Sequence, residues 1–303
     1  MSSLLYDAQG PRAKRRNVLF TVLFIVALAA IVWWVYTNLA EKDQLDWEKW
    51  KPFFGSEAWT TYLLPGLKNT LIAAALSMII ALPLGAVLGI ARLSDHAWIR
   101  VPASVVVEFF RALPVLILMI FGLALYSEYT NVSSDDRPLY AVITGLVLYN
   151  ASVLAEIVRA GILALPKGQT EAAHAIGLRK TQTMTSILLP QAVTAMLPAI
   201  VSQLVVIVKD TALGGAVLTF SDLIAAVSPM SSYYGANTIA SFTVVALIFI
   251  AINFALTTFA SWLERRLRRS KKSTGAVLSA DDMEELNPAA AGGTFGTGAG
   301  GST

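Results

Sequence analysis

Residues 171–190 read EAAHAIGLRKTQTMTSILLP, and the spacing of residues in this stretch decides the interpretation of the whole chain. Thr170 is of a type that caps helices, and Glu171 is favourable at the positive N-terminal end of a helix. Gly177 predicts a left-handed turn that ends this helix. Pro190 is expected in the first turn of the next helix, where its missing N–H costs nothing. The stretch is therefore predicted to form a helix-loop-helix.

Seven residues of this stretch follow the pattern EAA-x3-G-x9-I-x-LP, which lies between two long apolar runs. The pattern resembles the coupling-loop signature of the permeases of ATP-binding-cassette (ABC) importers, and we call residues 161–190 the EAA loop. The resemblance implies that a moving ATPase grips the loop through a set of residues: Glu171, Ala172, Ala173, Gly177, Leu178, Ile187, Leu189 and Pro190. The alternative is an ordinary amphipathic loop between helices, which a lone EAA-x3-G would favour.

The composition is that of a polytopic membrane protein. Of 303 residues, 55% are hydrophobic and only 14% are charged, well below the charge content of a soluble domain. Apolar runs long enough to cross about 30 Å of hydrocarbon recur along the chain. Six spans are predicted, at residues 17–38, 67–91, 102–126, 138–160, 190–217 and 236–264. Pro83, Pro114 and Pro198 lie within spans and are expected to kink them.

Basic residues are distributed unequally between the two sides that six spans define. With the N-terminus inside, sixteen Lys and Arg residues are cytoplasmic and four are external. The positive-inside rule therefore places both termini and the EAA loop in the cytoplasm. The first apolar run could be a secretory signal, but Trp33, Trp34 and Tyr36 near its end are typical of the outer anchor of a retained span.

These boundaries divide the chain into five parts. They are a basic cytoplasmic tail (1–16), the first span (17–38), an external aromatic-rich segment (39–64), a permease domain (65–264) and a cytoplasmic tail that is basic and then disordered (265–303). In the part we call the aromatic segment, residues 39–64, aromatic residues recur among charges, which is the pattern of an interfacial amphipathic helix. A solvated linker is the alternative.

Residue types that carry chemistry are scarce. The chain has no cysteine, which excludes disulfides and thiol nucleophiles, and its two histidines, His96 and His174, have no second ligand at metal-binding spacing. A phosphate-binding G-x4-GK[ST] and a G-x-S-x-G elbow are both missing from the sequence. No cofactor, metal or nucleic-acid partner is expected. The chain is predicted not to be an enzyme, so that ATP must be hydrolysed on another chain.

Ionisable and polar residues inside spans are the candidates for a substrate path, because each is costly in a membrane unless it is paired or faces a cavity. The candidates are Glu108, Arg111, Asn150, Gln203, Lys209, Asp210 and Thr211. Glu108 and Arg111 lie three residues apart on one helical face, and an ion pair between them is the simpler interpretation. Lys209 and Asp210 point to different sides of a helix, so that at least one of them is expected to meet a cavity or a partner.

Three stretches carry a second resemblance. They are FFRALPVLI (109–117), YNASVLAEIVRAGILALPKGQTEAAHAIGL (149–178) and VKDTAL (208–213). They are similar to the polar amino acid uptake permeases of the histidine/glutamine/glutamate type, and the similarity covers roughly residues 65–264. Ala112-Leu113 and Ala212 depart from the residues that are common in that family, which leaves the substrate open. The N-terminal LLYDAQGPRAKRR and the additional first span resemble actinobacterial glutamate permeases.

The resemblance implies an all-α, type I ABC-importer permease core of five helices, preceded here by one additional N-terminal span. It implies four kinds of partner in a bacterial plasma membrane: a second permease subunit, which is a homologue or a second copy, two cytoplasmic ABC ATPases, an extracytoplasmic substrate-binding protein and an amino acid. The expected function is the ATP-driven import of a polar amino acid, with glutamate first and glutamine or another polar amino acid as the alternative. An exporter and a membrane scaffold are the remaining alternatives.

Overall fold

Long apolar stretches of this chain fold as helices, because a helix satisfies every backbone N–H and C=O within its own segment when no water is available. The computed structural model describes residues 10–272, and every regular element in that range is helical. The α-helices are α1 (Pro11–Glu41), α2 (Trp47–Trp50), α3 (Ser56–Ala58), α4 (Leu64–Ala91), α5 (Ala97–Ala112), α6 (Val115–Tyr129), α7 (Arg137–Leu163), α8 (Lys167–Ala175), α9 (Lys180–Thr183), α10 (Leu189–Val217), α11 (Val227–Tyr233) and α12 (Thr238–Lys272).

Five continuous helices are long and apolar enough to cross a membrane. They are Pro11–Glu41, Ser56–Ala91, Arg137–Leu163, Lys180–Val217 and Thr238–Leu263. The chain is an all-α polytopic protein, as predicted. The first of these helices already begins at Pro11, so that residues 11–16 of the basic N-terminal part are helical. The predicted disordered part of the C-terminal tail, from residue 273 onward, lies outside the described residues.

The third predicted span, residues 102–126, is not continuous. It consists of α5 and α6, whose axes are bent by 99° at a break of two residues. Leu113 is extended (φ −87°, ψ 136°) because the ring of the following proline excludes the helical conformation there. Pro114 is extended as well (φ −58°, ψ 133°). The prediction of a kink at Pro114 was therefore too weak, since α5 and α6 are separate helices, whereas Pro83 and Pro198 lie inside helices that continue through them.

Two widened π turns precede Leu-Pro pairs, and the second of these pairs includes Pro190, which was predicted to lie in the first turn of a helix. Residues Trp59–Leu63 precede Pro65, and residues Met184–Leu188 precede Pro190. In the second turn the N–H of Leu189 donates to the oxygen of Met184, five residues back. A proline in a regular α-helix collides with the carbonyl four residues before it, and a wider turn relieves that contact. Pro190 lies in the first turn of α10, as predicted, and the π turn joins this helix to α9 without a break.

Helix α7 is the centre of the bundle and contacts α4, α5, α6 and α10. Glycines on α4 allow its backbone to approach α7 closely. A Cβ atom added to Gly85 would lie 2.8 Å from the carbonyl oxygen of Ala151, and one added to Gly89 would lie 2.7 Å from that of Ala155. Leu146 and Leu154 of α7 are fully buried in the resulting core. This packing fixes the positions of α4 and α7, whose ends carry the groups described below.

The aromatic segment packs on the stretch before α12. Phe53, Ala58 and Leu63 share an apolar cluster with Leu223 and Met230. The prediction of one amphipathic helix was wrong, because the segment forms α2, a 3₁₀ turn over Lys51–Phe54 and α3 in succession. Its hydrogen bonds to this stretch include Gln44 to the oxygen of Ala236 (3.0 Å) and Asn237 to the oxygen of Lys49 (3.1 Å). Helix α1 has no buried residue.

Candidate functional site

The EAA loop is a helix, a left-handed glycine and a second helix. Helix α8 ends at Ala175, and Gly177 follows with φ +82°, as its position in the pattern predicted. The N–H of Gly177 donates to the oxygen of His174, and the N–H of Leu178 donates to the oxygen of Ala173, both at 3.0 Å. These two bonds satisfy carbonyls that the end of the helix would otherwise leave open. The loop can therefore turn sharply without a cost in unpaired backbone groups.

The start of α8 differs from the prediction. The helix begins at Lys167, directly after Pro166, so that Thr170 lies within its first turn and caps nothing. Pro166 has the fixed φ of its ring (−57°) and begins the turn earlier than the threonine would. Glu171 is then the fifth helical residue and not part of the positive N-terminal turn. Its carboxylate is exposed, which leaves it free for contact with another chain.

The residues of the EAA signature divide into an exposed group and an inward group. Glu171, Ala172 and Gly177 are exposed at the tip, together with Ile176, whose side chain is 76% exposed. Pro190 is also exposed, whereas the inward group is buried or half-buried and consists of Ala173, Leu178, Ile187 and Leu189. Sequence reasoning did not single out Ile176, although an apolar residue directly before the turn glycine was a usable signal. One group forms a surface, and the other fastens that surface to the bundle.

Helix α9 is fastened to the loop between α4 and α5. The ammonium group of Lys180 donates to the oxygen of Leu93 (3.1 Å) and forms an ion pair with Asp95. The hydrogen bond and charge of Lys180 lower the pKa of the Asp95 carboxyl from its ordinary value, so that the carboxylate stays ionised at neutral pH. A cleft of about 450 Å³ lies beside this pair and is lined by apolar residues such as Ile99 and Met184.

A cluster of five charged side chains joins α4, α5 and α7 near the same end of the bundle. We call it the arginine–glutamate cluster, and it consists of Arg92, Glu108, Arg111, Glu156 and Arg159. Arg92 bridges Glu108 (3.2 Å) and Glu156 (2.6 Å), and its own side chain is only 8% exposed. Arg111 lies 3.6 Å from Glu156, and Arg159 lies 3.2 Å from it.

The expected ion pair between Glu108 and Arg111 is replaced by these contacts. Arg92 follows α4 directly and reaches both carboxylates from the interior. A buried guanidinium has lost its water, so that it depends more strongly on protein acceptors than an exposed one does. Sequence reasoning placed Arg92 in a short loop and missed it. A signal was present, because Arg92 is the first charged residue after the long apolar run of α4.

The remaining candidates for the substrate path do not gather in one place. Asn150 of α7 and Gln203 of α10 are buried and hydrogen-bonded to each other, and Asn150 also donates to the oxygen of Leu146 (2.7 Å). Thr211 is fully buried and donates to the oxygen of Val208 (2.8 Å). The Asn150–Gln203 bond joins α7 to α10, whereas Thr211 bonds only within its own helix.

Lys209 and Asp210 point in different directions, as their adjacency predicted. Lys209 is exposed, and Asp210 is half-buried. Among the side chains that the structure describes, no carboxylate lies within 4 Å of the Lys209 ammonium group. Lys209 lies near the end of the helix Lys180–Val217, where a long basic side chain can reach the membrane interface or a polar surface.

Apolar helices of membrane-spanning length and an exposed helix-glycine-helix loop at one end are the features expected of a transporter permease subunit. Residues 81–269 match the family described as binding-protein-dependent transport system inner membrane component, and the chain belongs to that family. It is 46% identical over 247 residues to the glutamate transport system permease protein GluD of Corynebacterium glutamicum, a match that covers 82% of this chain and 90% of that protein. It is 33% identical to the probable glutamine ABC transporter permease protein GlnP of Bacillus subtilis, over 70% of this chain and 96% of that protein.

A solved structure supports the same assignment. The crystal structure of an amino acid ABC transporter with histidines superposes with a TM-score of 0.61 at 27% identity, over 69% of this chain and 95% of that chain. The predicted all-α, type I permease fold is thereby confirmed. The chain is a multi-pass membrane protein and a permease subunit, not an enzyme, and the ATPase is a separate subunit. Membership of the family implies an ATPase and a substrate-binding protein as partners.

Proposed function

We propose that this chain is the permease subunit of an importer for polar amino acids, with glutamate as its substrate. The coupling role is supported by the tip of the EAA loop, which is exposed at the end of the bundle. The tip consists of Glu171, Ala172, Ile176 and Gly177. An ATPase that binds this tip and changes shape would move α8 and α9 together. Because α9 continues into α10, the movement would reach a membrane-spanning helix without a flexible joint.

Glutamate is supported by the similarity to the Corynebacterium glutamicum permease along most of both chains. A chemical argument agrees, since two basic side chains are accessible in or beside the helices. Arg111 is 43% exposed, and Lys209 is exposed and unpaired among the described residues. A second carboxylate on the cargo needs such cations when it loses its water. Glutamine or another polar amino acid remains the alternative, which the Bacillus subtilis relative supports.

The complete importer that we propose contains a second permease subunit, a homologue or a second copy of this chain, with two ABC ATPases and one binding protein. Exposed charges support the second permease. Glu108, with 64% of its side chain exposed, and Lys209 need a protein or aqueous surface next to them in a membrane. The ATPases would bind the EAA loop in the cytoplasm of a bacterium, and the binding protein would approach the opposite end.

Reconstitution tests this proposal directly. The chain is co-expressed with the ATPase, sister permease and binding protein of its own importer and placed in proteoliposomes. We expect ATP-dependent glutamate uptake and an ATPase rate that rises with the loaded binding protein. Uptake of glutamine at the same rate would replace glutamate by a broader substrate class. A purified chain that never retains an ATPase would support the scaffold instead.

Topology is a second expected result. A reporter that is active only in the cytoplasm should be active when fused after Lys272 and inactive when inserted near Ser133. The charge asymmetry of sixteen to four is the reason, and the contact of Lys180 with Asp95 agrees, because it places the EAA loop and the loop after α4 at one end. The reverse pattern of activity would put the EAA loop outside and exclude its binding to a cytoplasmic ATPase.

Substrate selectivity provides a third expected result. Arg111→Gln and Lys209→Met should each lower glutamate uptake about tenfold more than glutamine uptake, because a lost charge-assisted contact to the cargo is worth roughly 1.5 kcal/mol. Arg159→Gln is the matched control, since Arg159 binds the same Glu156 with a similar exposure of 37%. It should affect both substrates equally. Equal losses for Arg111→Gln as well would mean that Arg111 holds helices together and does not contact the cargo.

A further inference from the structure

We propose that Lys180 and Asp95 are positioning residues that transmit movement of the EAA loop to the arginine–glutamate cluster. The inference rests on the proposed function, because it names the route by which an ATPase at the loop would act on the interior of the bundle. In this route the loop between α4 and α5 is the moving part. Lys180 pulls on that loop, and Arg92, its first residue, shifts between its carboxylate partners.

The first step of the route depends on the fixed position of the Lys180 backbone. Lys180 begins α9, and the helix start is held by the side chain of Gln182, which accepts a hydrogen bond from the N–H of Arg179 (2.9 Å). The ammonium group then holds both Asp95 and the oxygen of Leu93, on a loop 85 or more residues away in sequence. A displacement of α9 is therefore applied to that loop through two contacts at once.

The second step is the stiffness of the short loop itself. Ser94 and Leu93 donate their N–H groups to the oxygens of Ala91 and Ile90, at 3.1 and 2.9 Å. Arg100 of α5 donates to the oxygens of Ser94 (3.0 Å) and Asp95 (3.3 Å) from the other side. The loop is thus hydrogen-bonded to the end of α4 and the start of α5. A pull at Asp95 displaces the loop as one piece, including Arg92.

The third step is the arrangement of partners around Glu156. Three guanidinium groups, those of Arg92, Arg111 and Arg159, share this one carboxylate. If Arg92 withdraws, Arg111 and Arg159 remain to neutralise Glu156, while Glu108 loses the arginine that ties α5 to α4. We take the arrangement with Arg92 bound and the arrangement with Arg92 withdrawn as the two states that transmission between distant sites requires. A movement of the EAA loop would thereby change the contacts of Arg111, which borders the proposed substrate path.

The test uses the assembled importer with four variants of the link. Lys180→Met and Asp95→Asn break it, Lys180→Arg keeps it, and the double variant Lys180→Asp with Asp95→Lys restores it with reversed charges. The matched control is Glu48→Gln with Lys51→Met, which removes an exposed ion pair of 3.7 Å in the aromatic segment. Uptake and ATP hydrolysis are measured in the same vesicles, together with the thermal stability of the purified complex.

We expect the two breaking variants to hydrolyse ATP at a rate within twofold of the wild type and to lose at least tenfold in amino acid moved per ATP. Lys180→Arg and the reversed pair should recover at least half of the wild-type ratio, and the control should keep all of it. A merely structural role would lower stability, hydrolysis and uptake together and leave the ratio unchanged. That result, or failure of the reversed pair to recover the ratio, would overturn the inference. A wild-type complex without coupled uptake would instead contradict the proposed function.

Discussion

Replacing Gly177 with valine should lower uptake by about 5- to 30-fold while the chain still inserts in the membrane. Gly177 has φ +82°, a conformation that costs residues with a Cβ about 1–2 kcal/mol, and a β-branched side chain suffers most. A Cβ at this position would meet no atom within 4 Å, so that the expected loss comes from the backbone and not from crowding. Uptake and stimulated ATPase activity in vesicles of equal protein content measure it.

Gly168 offers the matched control for this experiment. It lies in the same loop, nothing lies within 4 Å of its added Cβ, and its φ is not positive. Gly168→Val should therefore keep uptake within about twofold of the wild type, since valine is no worse than glycine in a helix. Gly177→Ala should fall between the two. If Gly177→Val transported and hydrolysed ATP at wild-type rates, the loop would not couple to an ATPase through its glycine turn.

Long apolar runs in the sequence predicted the membrane-spanning helices, whereas breaks that depend on one or two residues were not predicted. A run of twenty apolar residues admits only a helix in a membrane, so that α4, α7, α10 and α12 follow from composition. Leu113 and Pro114 show the limit of that reasoning. Hydropathy cannot distinguish a kinked helix from two helices bent by 99°, because both bury the same residues and only the conformations of two residues differ.

The left-handed turn at Gly177 was predicted correctly, whereas the partners of the charged side chains were not. Gly177 could be predicted because its conformation depends on its own missing Cβ. The partners of Glu108 and Glu156 depend instead on where α4 ends relative to α5 and α7, which no local spacing encodes. Arg92 therefore went unrecognised, and the contact between Asn150 and Gln203, two separate candidates for the path, was not foreseen. Tertiary packing decided all of these pairings.

Arg92→Met should be the most destabilising single change in the arginine–glutamate cluster. Removing one partner of a buried ion pair leaves a carboxylate without compensation, which typically costs 3–5 kcal/mol. We expect a loss of about 3 kcal/mol in stability, at the low end of this range. Glu156 keeps two other arginines, and 64% of the Glu108 side chain is exposed, so that it can be solvated without Arg92. The measurement is thermal denaturation of the purified complex, with uptake per ATP beside it. The denaturation temperature and the uptake per ATP should both fall, the uptake per ATP by more than about tenfold.

Two further variants make the Arg92 experiment decisive. Arg159→Met removes an arginine that also binds Glu156 but has a side chain that is 37% exposed. Exposed ion pairs contribute about 1 kcal/mol or less to stability. Adding Glu108→Gln to Arg92→Met removes the carboxylate that loses its partner, so that part of the stability should return while uptake stays low. Equal denaturation temperatures for Arg92→Met and Arg159→Met would contradict the central position of Arg92. Stability would then depend on the number of charges at this end of the bundle and not on the one guanidinium that joins three helices.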